Sequence, residues 1–278
     1  MALSIASTVL LNTGVAMPLL GLGTWQLGAA EEAVALIKYA LEIGYRHIDT
    51  AAAYGNEAEV GRAVRESGLD RHTIFVTSKV WTSDQGYDET LTACRASLSR
   101  LGLDVIDCYL IHWPEPGKWQ ASWRAMETLL RDGLCRSVGV SNFTINHLQE
   151  LAGFSPLIPA VNQVEFNVFN YRRDLLEYSH AHRIQLEAYS PLARGHKLQH
   201  PTLQAIAAHY GKTPAQIALR WCLQHQVVTI PKSAHRERIR ENVDLYDFAI
   251  SPEDMATLDT LDEQYSHIDP AWKARFAG

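Results

Sequence analysis

Eight short β-rich runs, each followed by a stretch of helical period, constrain this chain more than any other feature. The runs cover residues 19–21, 47–49, 75–79, 105–111, 136–140, 160–165, 184–189 and 227–230. Between them the apolar residues recur at helical spacing over 31–43, 57–67, 88–101, 119–132, 144–152, 173–181 and 213–224, with 236–245 after the last run. Parallel strands need a crossover connection, usually a helix, so this alternation points to parallel pairing. Local punctuation agrees: Thr213-Pro214 sets a proline at a first helical position, and Gly44 and Gly133 close helices. Eight such units without a Pro/Gly/Ser linker point to one closed (β/α)8 TIM barrel of the α/β class. The competing doubly wound sheet would place G-x-G-x-x-G after its first strand, whereas Gly21-Leu22-Gly23-Thr24-Trp25-Gln26 lacks the third glycine. A single domain over residues 1–278 is expected, with an N-terminal β-hairpin at 7–18 around Asn12-Thr13-Gly14. Two additional helices, near 202–210 and 252–261, and a C-terminal tail at 262–278 complete it.

Composition narrows the class. Of 278 residues, 47% are hydrophobic and 20% charged, the balance of a globular chain that buries roughly three quarters of its unfolded surface. With 25 Lys plus Arg against 31 Asp plus Glu, the formal charge of -6 offers no basic field for nucleic acid or anionic membrane. The uncharged stretch before Glu31 is broken by Pro18, Gly21 and Gly23 and has no leading Lys or Arg, so it reads as neither a signal peptide nor a spanning helix. Cys94, Cys108, Cys135 and Cys222 form no C-x-x-C pair, which disfavours zinc and a disulfide framework and suits a reducing cytoplasm. His180-x-His182 and His196-x-x-x-His200 lack a third ligand, so no metal site is expected and surface histidines are the better reading.

In a parallel barrel the active site forms at the C-terminal strand ends. Asp49 ends the second run and Tyr54 follows in its loop; Lys79 ends the third and His112 the fourth. Each has an ordinary reading alone, but consecutive strands delivering an acid, a phenol, an ammonium and an imidazole to one rim form a constellation. With Gly44-Tyr45-Arg46-His47-Ile48-Asp49-Thr50-Ala51, Tyr54-Gly55-Asn56-Glu57, Ile111-His112-Trp113-Pro114, Gly139-Val140-Ser141-Asn142-Phe143 and Ile230-Pro231-Lys232-Ser233, the chain resembles the aldo-keto reductase superfamily. Among its branches it is most similar to the short prokaryotic 2,5-diketo-D-gluconate reductase type.

The resemblance implies an NADPH-dependent oxidoreductase that reduces aldehyde or ketone carbonyls. Tyr54 would donate the proton, Lys79 would lower the phenol pKa, Asp49 would hold Lys79, and a neutral His112 would orient the carbonyl. It further implies that Ser141, Asn142 and Gln163 bind the nicotinamide carboxamide and that Tyr189 stacks on the ring. Gly23, Thr24, Ser190 and Leu192 would line the cofactor, Ser190 and Leu192 along the pyrophosphate. Lys232, Ser233 and Arg238 would take the 2'-phosphate, and Glu241 and Asn242 would approach the adenine. Trp25, Trp81 and Trp113 would frame the substrate pocket, whose other connections, at 114–118, 191–200 and after Leu261, are short. Where many relatives carry a His-Pro-type segment, this chain has Phe166-Asn167-Val168-Phe169, which puts the local loop near the nicotinamide in doubt. A monomer acting on a small-molecule carbonyl is expected. A Schiff-base aldolase using Lys79 and a non-catalytic NADP(H)-binding sensor or partner subunit are the alternatives.

Overall fold

The computed structural model describes residues 3–276. A β-hairpin, β1 (Thr8–Leu10) with β2 (Ala16–Pro18), precedes the alternating part. There follow β3 (Leu22–Gly23), α1 (Ala30–Glu42), β4 (His47–Asp49), α2 (Glu57–Glu66), β5 (Phe75–Val80), α3 (Tyr87–Leu101), β6 (Ile106–Ile111) and α4 (Trp119–Arg131). The second half runs β7 (Cys135–Ser141), α5 (Ile145–Phe154), β8 (Val161–Glu165), α6 (Arg173–Ala181), β9 (Gln185–Tyr189), α7 (Pro201–His209), α8 (Pro214–Gln224), β10 (Val228–Thr229), α9 (Arg236–Glu241), α10 (Pro252–Asp259) and α11 (Pro270–Arg275).

Eight strands, β3 to β10, pair in sequence order and all in parallel. A parallel bridge between Leu20 and Thr229 joins the first to the last and closes the (β/α)8 barrel. The first strand differs from the expected 19–21. Residues on either side of Gly21 serve different neighbours: Leu20 meets Thr229, while Leu22 and Gly23 pair with Ile48 and Asp49. Closure also depends on glycine, because a Cβ at Gly23 would sit 2.9 Å from the Ile230 carbonyl oxygen. Along the wall, Gly61 lets α2 lie against the Leu101 carbonyl.

Both faces of a parallel strand in a barrel are covered, and β5 and β6 are buried at every position. Two of the helices begin with a reciprocal side-chain cap. Thr213 and Gln216 cap α8 reciprocally, as Thr144 and His147 cap α5. Leu11, Val15 and Met17 of the hairpin pack on Phe75, Leu110, Val161 and Val228, closing the N-terminal end of the barrel with apolar side chains. The C-terminal end is left for polar chemistry. Among the described residues, no helix is long and apolar enough to cross a membrane.

Candidate active site

At that end, the Lys79 ammonium donates to both Asp49 carboxylate oxygens at 2.8 Å and to the Thr50 carbonyl at 2.8 Å. Those three acceptors use all its protons. Its Nζ lies 5.0 Å from the centroid of the Tyr54 ring. Tyr54 ends a 3-10 turn, Ala52–Tyr54, that Gly55 terminates at φ 69°. The Asn56 side chain fixes this loop, accepting from the Thr50 hydroxyl at 2.7 Å and donating to the Thr24 carbonyl at 2.8 Å. His112, one residue past β6, stands edge-on to Tyr54 (5.7 Å, 75°) and to Trp81 (5.0 Å, 78°). Its buried Nδ1 has no hydrogen-bond partner among the described residues.

Burial governs the protonation of these groups. It drives His112 well below the ordinary imidazole value, with Lys79 adding to the effect, so the ring is neutral at physiological pH. For Lys79 burial opposes the charge, but Asp49, Tyr54 and Glu187 outweigh it and hold the ammonium above its ordinary value. Asp49 is raised by burial, with Lys79 and Gln163 pulling it back. Tyr54 differs from the expectation of a lowered phenol. Burial raises it, the pull of Lys79 only partly offsets that, and Asp49 and Glu187 push the same way as burial.

A cleft of about 1430 Å³ opens above this group. Asp49, Tyr54 and His112 reach its wall, together with Gly23, Thr24, Ser141, Asn142, Gln163, Tyr189, Ser190, Leu192, Lys232, Ser233, Arg238, Glu241 and Asn242. Trp25, Trp81 and Trp113 line it as well. Lys79 alone of the expected residues lies beneath the wall, fully buried. The Tyr189 hydroxyl donates to Asn142 Oδ1 at 2.7 Å, and Asn142 Nδ2 donates to the His112 carbonyl at 3.0 Å. Asn142 (φ 64°) and Ser190 (φ 49°) occupy left-handed backbone at the ends of β7 and β9, and such strain concentrates at functional sites. At the far end, Lys232 and Arg238 are exposed, and neither forms an ion pair among the described residues. The Ser233 hydroxyl is engaged with the His235 backbone, and the Glu241 carboxylate accepts from the Thr213 hydroxyl at 2.5 Å.

Four features add to what the sequence implied. The tail carries α11, whose Trp272 joins the pocket wall by stacking on Trp81 and standing edge-on to Trp113. Glu165, at the end of β8, anchors that tail: its carboxylate accepts from the Ser266 hydroxyl and, at 2.9 Å, from the His267 amide. The departing segment 166–169 folds into a buried reversal between Asn167 and Asn170. Its Phe169 carbonyl accepts from the Glu263 and Tyr265 amides at 3.1 and 2.9 Å. Across the cleft, Arg194 lies 4.6 Å over the Trp25 ring, tying the loop after β9 to the loop after β3. Among the described residues no His/Cys/Asp/Glu group could hold a metal ion.

Comparison with known proteins agrees with this architecture. The pattern of the Aldo/keto reductase family matches residues 19–263. The glyoxal reductase of Bacillus subtilis (strain 168) is 49% identical over 263 residues, covering 95% of this chain and 95% of that protein. The solved aldo/keto reductase of Brucella melitensis superposes with a TM-score of 0.89 at 44% identity, over 92% of this chain and 99% of that one. The Bombyx mori aldo-keto reductase, solved in complex with NADP, superposes with a TM-score of 0.91 at 34% identity, over 98% of each chain. An acid, an ammonium, a phenol and an imidazole gathered on the rim of a closed barrel, in a chain matched over most of its length, show that it belongs to the Aldo/keto reductase family and is an oxidoreductase.

Proposed function

We propose that this chain reduces small aldehyde or ketone carbonyls with NADPH, with Tyr54 as the proton donor. The observation that carries the reading is the stack of Asp49, Lys79 and Tyr54 beneath a cleft whose other wall is a neutral, buried His112. The cleft exceeds the roughly 300 to 1,000 Å³ of clefts that hold a drug-sized ligand, which suits a dinucleotide with a substrate beside it. When bound, NADPH supplies a hydride to the carbonyl carbon.

The chain's own residues do the rest. As negative charge grows on the substrate oxygen, the Tyr54 phenol, kept protonated by burial, hydrogen-bonds it and gives up its proton. The phenolate left behind faces the Lys79 ammonium, which Asp49 keeps in place. His112 orients the oxygen as a neutral partner. Ser141, Asn142 and Gln163 hold the nicotinamide carboxamide, Tyr189 covers the ring, and Lys232 with Arg238 takes the 2'-phosphate. A monomer is taken as the working unit. The glyoxal reductase among the relatives supports a small carbonyl substrate, and the NADP complex supports the cofactor.

A Schiff-base role for Lys79 finds no support. Its amine is fully buried, held by Asp49 and kept protonated, and a protonated amine is no nucleophile. The proposal is tested by NADPH oxidation across aldehydes, ketoses, diketo-acids and steroids. Turnover of a small carbonyl that disappears in Tyr54→Phe is expected; turnover undiminished in that variant overturns Tyr54 as donor.

A further inference from the structure

Beneath the tetrad, the barrel interior holds polar groups that this reaction does not use. Glu187, in the middle of β9, is fully buried, as is His47 on β4. Glu187 Oε2 accepts from Gln163 Nε2 at 2.8 Å, and the same nitrogen donates to Asp49 Oδ2 at 2.7 Å. The two protons of the Gln163 amide are thus committed to two inward carboxyls. Oε1 is then the polar atom of that side chain left to meet a ligand in the cleft, whose wall Gln163 joins. Glu187 Oε1 has no hydrogen-bond partner among the described residues and lies 3.5 Å from His47 Nε2.

The charges around Glu187 explain its state. Burial, with the Asp49 carboxylate adding to it, pushes Glu187 up to about 8; Gln163 and Lys79 pull the other way. His47 is pushed down to about 3 by burial and by Lys79. Glu187 is therefore mostly protonated at neutral pH and His47 is neutral. A second anion this close to Asp49 is avoided, and the acceptor for Gln163 is kept.

We propose that Glu187 is a positioning residue that fixes the Gln163 amide with its nitrogen turned into the barrel, so that its carbonyl faces the nicotinamide carboxamide. The inference rests on the cofactor placement given above and adds the residue that enforces it. Without Glu187, one Gln163 N–H loses its partner and Asp49 alone holds the amide nitrogen inward, so the carbonyl is less firmly aimed at the ligand. A Gln at position 187 is nearly isosteric with the neutral carboxyl: its oxygen accepts from Gln163, and its nitrogen points toward His47.

The experiment compares wild type, Glu187→Leu and Glu187→Gln by fluorescence titration with NADPH and, separately, with adenosine 2',5'-bisphosphate, which lacks the nicotinamide. Glu187→Leu should weaken NADPH roughly tenfold, the order expected when a buried hydrogen bond is left unmade. Binding of the bisphosphate should stay unchanged, and Glu187→Gln should restore NADPH. Equal loss of both ligands, unchanged NADPH binding in Glu187→Leu, or no rescue by Gln overturns the proposal. If Glu187→Leu does not fold, Glu187→Asp carries the test, because it draws the carboxyl back by one methylene and should show the same selective loss. If no carbonyl in the panel is turned over while the selective loss is seen, the catalytic reading falls and this one stands.

Discussion

Trp272 of α11 stacks on Trp81, with ring centroids 6.0 Å apart and planes 9° from parallel. The contact joins the tail to the loop after β5, and Trp81 in turn stands against His112, so the wall of the pocket runs from the tail to the reacting groups. Arg275 fastens the outer end of α11 to Glu115 at 2.5 Å, and Phe276 packs on Trp113 at 5.1 Å. Trp272→Ala should open this wall. The kcat/KM ratio of a bulky apolar aldehyde to a two-carbon dicarbonyl is expected to rise by roughly three- to tenfold, the range of one aromatic contact. An unchanged ratio would show that Trp272 covers the site without selecting what enters it.

Tyr54→Phe should lower kcat by at least about a hundredfold, the usual contribution of a positioned acid, and leave NADPH affinity within a few-fold. Lys79→Met should be comparably damaging, because it strips the phenolate of its counter-charge and leaves Asp49 buried without its cation. Higher activity in Lys79→Met would contradict this electrostatic account. Pre-steady-state measurement of hydride transfer separates the chemical step from cofactor release.

Much of this site was legible because strand ends in a parallel barrel converge, so Asp49, Lys79 and His112 could be grouped from their place in the repeat. Trp272 could not be found that way. Its helix spans six residues, too short for a periodic signal, and its partner Trp81 is remote in sequence. Glu165 and Glu187 did leave a signal: each is a charged residue inside a strand that a barrel covers on both faces. Such a residue must be neutral or partnered, and the two resolve the demand differently, Glu165 by accepting from the tail and Glu187 by protonation. For Tyr54 the sequence shows the neighbouring Lys79 charge but not the depth of burial, which is the larger effect on the phenol. The first strand departs from 19–21 because its pairing is divided between two neighbours on either side of Gly21.

The Glu187 state also predicts how stability depends on pH. Its folded value, about 8, lies above that of an exposed carboxyl, so the folded protein binds the extra proton. That contribution is fully present below the unfolded value near 4.3 and is lost as pH rises through about 8. His47 acts in the opposite sense. Its folded value near 3 is depressed, so its contribution is present above about 6.5 and lost as pH falls toward 3. Between pH 6 and 9 the melting temperature of wild type should therefore fall by a few degrees more than that of Glu187→Gln, given roughly 2–4 °C per kcal/mol in domains of this order of size. Parallel curves for the two proteins would mean that Glu187 does not titrate in this range.

Cofactor choice should be decided at Lys232 and Arg238. NADPH differs from NADH by a 2'-phosphate, and these two cations line the same end of the cleft with no ion-pair partner among the described residues. Partial burial lowers the Lys232 ammonium from its ordinary value, and the Glu32 carboxylate opposes that shift. No acidic residue occurs in Pro231-Lys232-Ser233-Ala234-His235 to take the ribose 2'-hydroxyl that NADH would present. A charge-assisted hydrogen bond is worth about 1.5 to 3 kcal/mol, and two of them would give a preference of about a hundredfold or more. Both side chains are exposed, which screens them and brings the expectation down to about ten- to a hundredfold. Replacing both by Ala should remove most of that preference and leave NADH binding within a few-fold. Raising ionic strength from about 0.01 to 1 M should erode the wild-type preference as the screening length shortens from about 30 to 3 Å. Equal weakening of both cofactors in the double variant would show that the two residues hold the adenine or the fold rather than the phosphate.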